Sequence, residues 1–273
     1  MSYILGTSKI ELERLGRQHQ IWQSEAFAAW DRAGFKQGDR LLDLGCGPGF
    51  ASFDLADRVG ATGEVLAIDQ AHQYIKHLNK EATKLQLNQL NAELINLALP
   101  IAQQTDIPFH KHTWDGAWCR WLCMFLVDLN PLLNLISKAL RPGGMLVFHE
   151  YIRWDTFSLH PHGAALQEFV NCCMEHWRAH GGDPNVASRL PALLEQHDFE
   201  LVSSCSLLNC ATNNEPKAEW LLDFLNCYPA QLLEEGIWSS SQQQALELEI
   251  SNAKSIGSLW LTPALVEQIW IKK

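Results

Sequence analysis

Residues 8–33 place Ile10, Leu12, Leu15, Ile21, Trp22, Phe27 and Trp30 at helical spacing, which predicts one or two amphipathic helices at the start of the chain. The period then changes. Arg40 to Leu44 (RLLDL) is a short apolar run that enters a glycine-rich turn, and Phe50 to Arg58 has the spacing of the helix that follows it. Further strands are predicted at Glu64 to Ile68, Glu93 to Leu97, Asp115 to Trp121 and Met145 to Tyr151. Between them, residues 72–88 and Pro131 to Leu140 read as helices, the second stopped by RPGG. Such an alternation implies right-handed crossovers, a parallel sheet and helices on both faces. Ligands of such sheets sit beyond the carboxyl ends of the strands.

After Tyr151 the rhythm breaks. Residues 161–180 and 186–197 have helical spacing, Phe199 to Leu208 alternates like a strand, 215–256 is mostly helical, and Leu265 to Ile271 is a last strand. The two late strands are expected to pair antiparallel at the sheet edge, with residues 211–258 as a helical insertion serving as a lid. No Pro/Gly/Ser-rich linker and no internal repeat divides the chain, so residues 1–273 read as one domain with a helical cap at 1–34.

Composition narrows the partners. The chain has 273 residues, 47% hydrophobic and 19% charged, with a formal net charge of -10. That length supports one large domain or two small ones, with a core too large for a disordered chain. The acidic balance, with no basic run interleaved with aromatics, disfavours DNA or RNA as a partner of the whole surface. No basic segment followed by an apolar one opens the sequence, and no apolar run approaches the ~20 residues of a membrane span, so a cytoplasmic location is the expectation. The 8 cysteines include no CxxC pair and suit reduced thiols better than a disulfide framework or a structural zinc site. The 11 Trp against 4 Tyr are notable because large rings fill cores and also line pockets.

The strongest local signal is Asp43-Leu44-Gly45-Cys46-Gly47-Pro48-Gly49 between a strand and a helix. Glycine permits the sharp turn and a close approach of ligand to backbone, and a helix N-terminus favours negative charge. A dinucleotide fingerprint, GxGxxG, is broken by Phe50. The GxGxG spacing with an acid two residues earlier instead resembles motif I of class I S-adenosylmethionine-dependent methyltransferases. Asp69 closes the second strand where that family places the acid for the ribose hydroxyls, and TDIPF, WDGAW and LRPGGMLVFHEY follow in the family's order, so the resemblance covers about residues 35–151.

The resemblance implies an α/β, Rossmann-like, seven-stranded sheet of five parallel strands plus an antiparallel edge pair, with N-terminal helices and a helical lid. It implies residues 35–151 as the cofactor-binding core and 152–273 as the substrate side, and S-adenosylmethionine as the cofactor. Asp43, Gly45, Cys46 and Gly47 would surround its methionine end, whose carboxylate suits backbone N–H groups and whose ammonium suits an acid. Asp69 would take the ribose and Gln70 the adenine edge. Arg14, Gln18 and Trp22 share one helix face, and in related enzymes such a helix closes over the cofactor. The family's adenine-reading residue after the third strand is not matched directly; Gln103, Gln104 and Asp106 are candidates.

Methyl transfer is an in-line displacement that needs alignment and a dry pocket, and a base only where the acceptor holds its proton tightly. In this fold the ends of the fourth and fifth strands face the methyl group, which singles out Arg120, Trp121, His149, Glu150 and Tyr151. His149 or Glu150 is the candidate base, and strand alternation lets only one of the two face the site. Trp114, Trp118, Trp121 and Trp154 gather around these strand ends, with Trp220, Phe224, Tyr228 and Trp238 in the lid; core packing is the ordinary role of each. His160, His162, His176 and His180 lack an acidic or Cys partner at diagnostic spacing, so no metal is expected. Adjacent Cys172 and Cys173 diverge on one helix and suit burial better than paired thiol chemistry.

The resulting expectation is methyl transfer to an O, N or C atom of a small, apolar or aromatic acceptor. The alternatives are a non-catalytic protein of the same fold that binds the cofactor or a nucleoside, and a nucleotide-dependent oxidoreductase.

Overall fold

The computed structural model describes residues 9–100 and 112–273. Two helices, α1 (Lys9–Ile21) and α2 (Gln23–Arg32), precede the sheet, as the spacing of Trp22, Phe27 and Trp30 predicts. The sheet core follows as β1 (Arg40–Leu44), α3 (Phe50–Val59), β2 (Glu64–Asp69), α4 (His72–Lys84), β3 (Leu90–Leu94), β4 (Trp114–Arg120), α5 (Asn130–Ala139) and β5 (Leu140–Arg153). The remainder is β6 (Ser158–His160), α6 (Ala164–Ala179), α7 (Leu190–Gln196), β7 (Phe199–Ser206), β8 (Cys210–Thr212), α8 (Pro216–Glu234), α9 (Ser240–Ser255), β9 (Leu259–Leu261) and β10 (Ala264–Lys272).

The main sheet has seven strands in the order β3-β2-β1-β4-β5-β10-β7. β1 to β5 run parallel, and β10 pairs antiparallel with both β5 and β7. This is the Rossmann-like sheet with an antiparallel edge pair expected from the sequence. Strand order reverses between β1 and β4, so the crevice beyond their carboxyl ends is where such a sheet takes a ligand.

Alternation divides the core between the two faces. Leu42 and Leu44 of β1 join Ala117, Cys119, Leu146 and Phe148 under α5, α6 and α8. Leu41 joins Trp118, Val147 and Ile269 under α2, α3 and α4. Interior strands of a parallel sheet are covered on both sides, which is why these runs are nearly continuous in apolar residues.

Two differences from the sequence reading have physical reasons. The third strand lies at Leu90–Leu94 and pairs Val65 with Leu90 through Asp69 with Leu94, three residues before the span expected from its apolar content. It is an edge strand that buries only Leu90 and Ala92, while Ile95 and Leu97, whose hydrophobicity suggested the later span, are buried in the loop after it. β6, β9 and β8 form a second, three-stranded sheet that periodicity did not reveal, since strands of three residues carry no readable period.

Candidate active site

The loop after β1 is built around residues that only glycine fits. Gly45 has φ +71°, and a Cβ there would lie 2.9 Å from Leu122 Cδ1. Gly47 has φ +54° with open space where its Cβ would be. The loop borders a cavity of about 420 Å³ whose wall includes Gly45, Cys46, Gly47, Asp69, Gln70 and Asn96. Gln18 of α1 and Asp43, Trp118 and Arg120 of the strands complete the side nearest the sheet.

The loop amides are spent within the protein. Gly45 and Cys46 both donate to Ile68 O at 2.9 Å, and Gly47 N donates to Asp69 Oδ2 at 2.9 Å. The expectation that these N–H groups receive a ligand carboxylate therefore changes: they tie β1 to β2 and set the turn. Asp69 also accepts Ala71 N at 2.8 Å through Oδ1, so backbone donors fix both carboxylate oxygens while each keeps a second lone pair. Burial raises the Asp69 pKa against these bonds. Asp43 is buried, accepts the Ser52 hydroxyl, and is pushed up to about 6 by desolvation, with the Asp69 charge adding to the rise.

A cation stands where the amides do not. Arg120 ends β4 with its guanidinium over the rings of Trp121 (4.8 Å) and Trp118 (5.6 Å). Its Nη2 donates to His19 Nδ1 at 2.8 Å, while Nη1 is buried with no hydrogen-bond partner among the described residues. Because a guanidinium only donates, His19 Nδ1 accepts, and the proton of the neutral ring resides on Nε2, which donates to Asp54 at 2.7 Å. Burial, followed by the Arg120 charge among the lowering influences, depresses the His19 pKa in agreement with this tautomer. Burial likewise lowers Arg120 to about 10.

A second cavity of about 70 Å³ adjoins the first and is walled by Trp121, Tyr151, Trp154, Trp177, Trp220 and Phe224, with Phe157, Met124 and Pro263. Gln18, Trp121 and Phe125 line both cavities. Trp121 lies between Trp220 (5.9 Å, 15°) and Tyr151 (6.2 Å, 19°), and Trp154 meets Trp177 edge-on at 4.7 Å. Of the tryptophans expected near the strand ends, Trp118 borders the larger cavity and Trp121 and Trp154 the smaller one. Trp114 begins β4 at the opposite end of the sheet, under the Arg40 guanidinium. In the lid, Trp220 and Phe224 face the aromatic cavity, Tyr228 stacks behind Phe224, and Trp238 packs on Phe169. α9 contributes nothing to either wall.

The helical cap clasps the lid across these cavities. Trp220 Nε1 and Arg14 Nη1 both donate to Gln18 Oε1, at 2.9 and 3.0 Å. Arg17 pairs with Asp223 at 2.8 Å, and Lys217 pairs with Glu25 at 2.6 Å and lies 3.2 Å from the centre of the Trp22 ring.

His149 and Glu150 face opposite sides of β5, and neither lines a cavity. The sequence reading took Tyr151 as the end of the strand, but β5 continues to Arg153 and pairs with β10 over that length, which makes both residues interior. His149 Nε2 donates to Glu267 at 3.1 Å, and Arg32 holds the same carboxylate with both Nε and Nη2. Glu150 Oε1 accepts Leu122 N and Cys123 N, both at 2.8 Å. The geometry gives neither residue a path to an acceptor proton.

Asn96 is a wall residue that sequence reading missed, because the misplaced third strand absorbed it. The candidates Gln103, Gln104 and Asp106 lie outside the described residues. His160 bonds with Ser158, and His176 bonds through Nδ1 with the Tyr228 hydroxyl. Among the described residues, the group able to offer three metal ligands is Cys119, Cys123 and Glu150, all buried. Glu150 Oε1 there is already engaged by two amides, and the thiols lie 3.9 Å apart.

A family model described as a methyltransferase domain matches residues 35–180. The chain is 26% identical over 159 residues to 2-phytyl-1,4-naphtoquinone methyltransferase of Synechococcus elongatus, covering 58% of this chain and 61% of that protein. It is 28% identical over 130 residues to demethylmenaquinone methyltransferase of Staphylococcus aureus, covering 48% and 49%. The chain thus spans about half to three fifths of the length of these relatives. In fold it resembles geranyl diphosphate C-methyltransferase of Streptomyces coelicolor, with TM-score 0.60, 16% identity, and coverage of 99% of this chain and 87% of that one.

Proposed function

The chain belongs to the methyltransferase domain family, and on that premise we propose that it transfers a methyl group from S-adenosylmethionine to a small, flat acceptor held in the aromatic cavity. The observation that carries this reading is the junction of two cavities, one with a glycine loop and strand-end acid, the other walled by rings.

The residues fit the cofactor. Asp69, with backbone donors fixing both oxygens, is oriented to accept a pair of ribose hydroxyls. Asn96 and Gln70 border the same wall and offer amides to the adenine edge. The partnerless Nη1 of Arg120 is a buried donor that a methionine carboxylate satisfies, the role first assigned to the loop amides. Asp43, held by Ser52, supplies negative potential for the ammonium. S-adenosylmethionine supplies an electrophilic methyl group on sulfur. The chain's part is to align, to exclude water and to hold charge: Gln18 and Trp220 shut the opening between cap and lid, and the rings keep the junction dry.

Electrostatics narrows the acceptor. Among the described residues the aromatic cavity has no Asp or Glu in its wall, and the charged side chain there, Arg14, is held by Glu11 through two 2.7 Å bonds. The nearby rings of Trp121 and Trp22 already carry Arg120 and Lys217. With no carboxylate in that wall to offset the desolvation of an ammonium, the cavity suits a neutral ring and disfavours a cationic amine. The printed names of the quinone methyltransferase relatives agree with such an acceptor. We place the lid function in α8, with residues 35–151 holding the cofactor and α9 packing outside.

Titration calorimetry with S-adenosylhomocysteine tests the reading. Wild type is expected to bind, and Asp69→Ala to bind at least tenfold more weakly; no binding by wild type, or unchanged binding by the variant, refutes the site.

A further inference from the structure

Trp121 has φ +55°. Of the other non-glycine residues with positive φ, Gln86, His112 and Asp198 lie exposed in turns, whereas Trp121 borders both cavities. A bulky aromatic residue in this region costs about 1–2 kcal/mol, so the surroundings must enforce it. Trp121 N donates to His149 O at 3.1 Å, fixing the start of the turn. The next two amides, Leu122 and Cys123, converge on one oxygen of Glu150.

Glu150 is fully buried; among the described residues it has no cationic partner and its Oε2 no hydrogen-bond partner, and desolvation raises its pKa to about 7. A buried acid so costly to keep serves a purpose beyond packing. What it anchors is the segment Trp121 to Phe125. Leu122 and Phe125 face the cofactor cavity, and Met124 and Phe125 face the aromatic cavity, so this one turn is the partition between donor and acceptor.

We propose that the Trp121 indole is the specificity-determining wall against which the acceptor ring is aligned, and that Glu150 is a positioning residue that holds this wall through the Leu122 and Cys123 amides. The inference rests on the methyltransferase reading for its meaning but not for its test. The requirement at position 150 is for an acceptor oxygen, not for charge. Glu150→Gln retains that oxygen and Glu150→Leu does not.

The test is binding of 1-naphthol, a flat oxygen-bearing probe, to protein with and without saturating S-adenosylhomocysteine, measured by calorimetry together with near-ultraviolet circular dichroism. Wild type and Glu150→Gln are expected to bind naphthol within about twofold of each other. Trp121→Ala is expected to lose at least tenfold. Glu150→Leu is expected to match that loss and to change the tryptophan dichroism, which the Gln variant leaves unaltered. Should Glu150→Leu fail to fold, Glu150→Met, which also lacks the acceptor oxygen, takes its place, and unchanged naphthol affinity in a folded Glu150→Leu or Glu150→Met overturns the positioning role. Naphthol affinity within twofold of wild type in Trp121→Ala, loss in Glu150→Gln as large as in Glu150→Leu or Trp121→Ala, or no naphthol binding by wild type overturns the proposal. Failure of S-adenosylhomocysteine to bind while naphthol behaves as expected refutes the cofactor assignment and leaves the partition standing.

Discussion

Replacing Arg120 by Leu separates donor binding from the stability of the empty protein. Burial lowers the guanidinium from its ordinary value to about 10. A displacement of that size corresponds to about 3 kcal/mol of disfavoured charge. The bond to His19 and the contacts with Trp118 and Trp121 return roughly 2–3 kcal/mol of this, so the empty variant is expected to unfold within about 1 kcal/mol of wild type. Arg120 itself changes protonation only at alkaline pH, but its charge lowers the pKa of both His19 and Asp43, so the comparison is made near pH 8, above the range in which those two groups titrate. Donor binding behaves differently. The lost charge-assisted contact to a carboxylate is worth about 1.5–3 kcal/mol, an affinity loss of about 10- to 150-fold. With S-adenosylhomocysteine at 100 times the wild-type Kd, wild type gains about 2.7 kcal/mol of stability, and a variant 30-fold weaker gains only about 0.9. Urea unfolding with and without the ligand, beside calorimetry, reads both quantities. Affinity within threefold of wild type would refute the assignment of Arg120 to the carboxylate.

Glu150→Gln is expected to gain stability relative to wild type as pH rises. The folded pKa near 7 lies above the usual 4.5, so wild type carries no penalty below about pH 4.5, loses stability between 4.5 and 7, and then stays constant, by at most about 3 kcal/mol. Urea midpoints at pH 5 and 8 test this, and a wild-type-to-variant difference independent of pH contradicts it. Gly45→Ala combines positive φ with a Cβ 2.9 Å from Leu122 and is expected to cost about 1–3 kcal/mol, more than Gly47→Ala, where nothing lies within 4 Å; thermal unfolding ranks the two. His149→Gln is expected to keep methyl transfer within about threefold in a radiolabel assay, whereas loss of a general base would cost about 100- to 10,000-fold.

The glycine loop and strand-end acid on which the proposed donor site rests were legible in the sequence because the rules that shape them are local. A positive-φ glycine turn, an acid two residues before it and an acid at the end of the next strand occupy residues 43–69, and the backbone rules for each act over a few positions. Strand ends were harder to read. No turn residue marks Arg153 as the end of β5, so His149 and Glu150 read as terminal although pairing with β10 makes them interior. The same uncertainty in β3 concealed Asn96. Arg120 was foreseen as a site residue, yet its partnerless Nη1 follows from where His19 sits, a contact across 101 positions that no local pattern encodes. Trp121, Trp154, Trp220 and Phe224, expected near the strand ends and in the lid, line the aromatic cavity. Met124, Phe125 and Trp177 join them only through the tertiary arrangement of a turn and α6.

Among the described residues the two cavities share only Gln18, Trp121 and Phe125 in their walls. The larger cavity draws on α1, the β1 and β2 edges, the loop after β3 and the end of β4 with its following turn, whereas the smaller one is assembled from α1, the turn after β4, the end of β5, α6, α8 and the loop before β10. On the proposed reading, substitutions at Trp154, Trp177, Phe224 or Pro263 would reshape the acceptor side without touching the glycine loop or Asp69. Such a layout would make the molecule a chassis for diversification: one fixed methyl-supply port, and a chamber whose walls can be exchanged one element at a time.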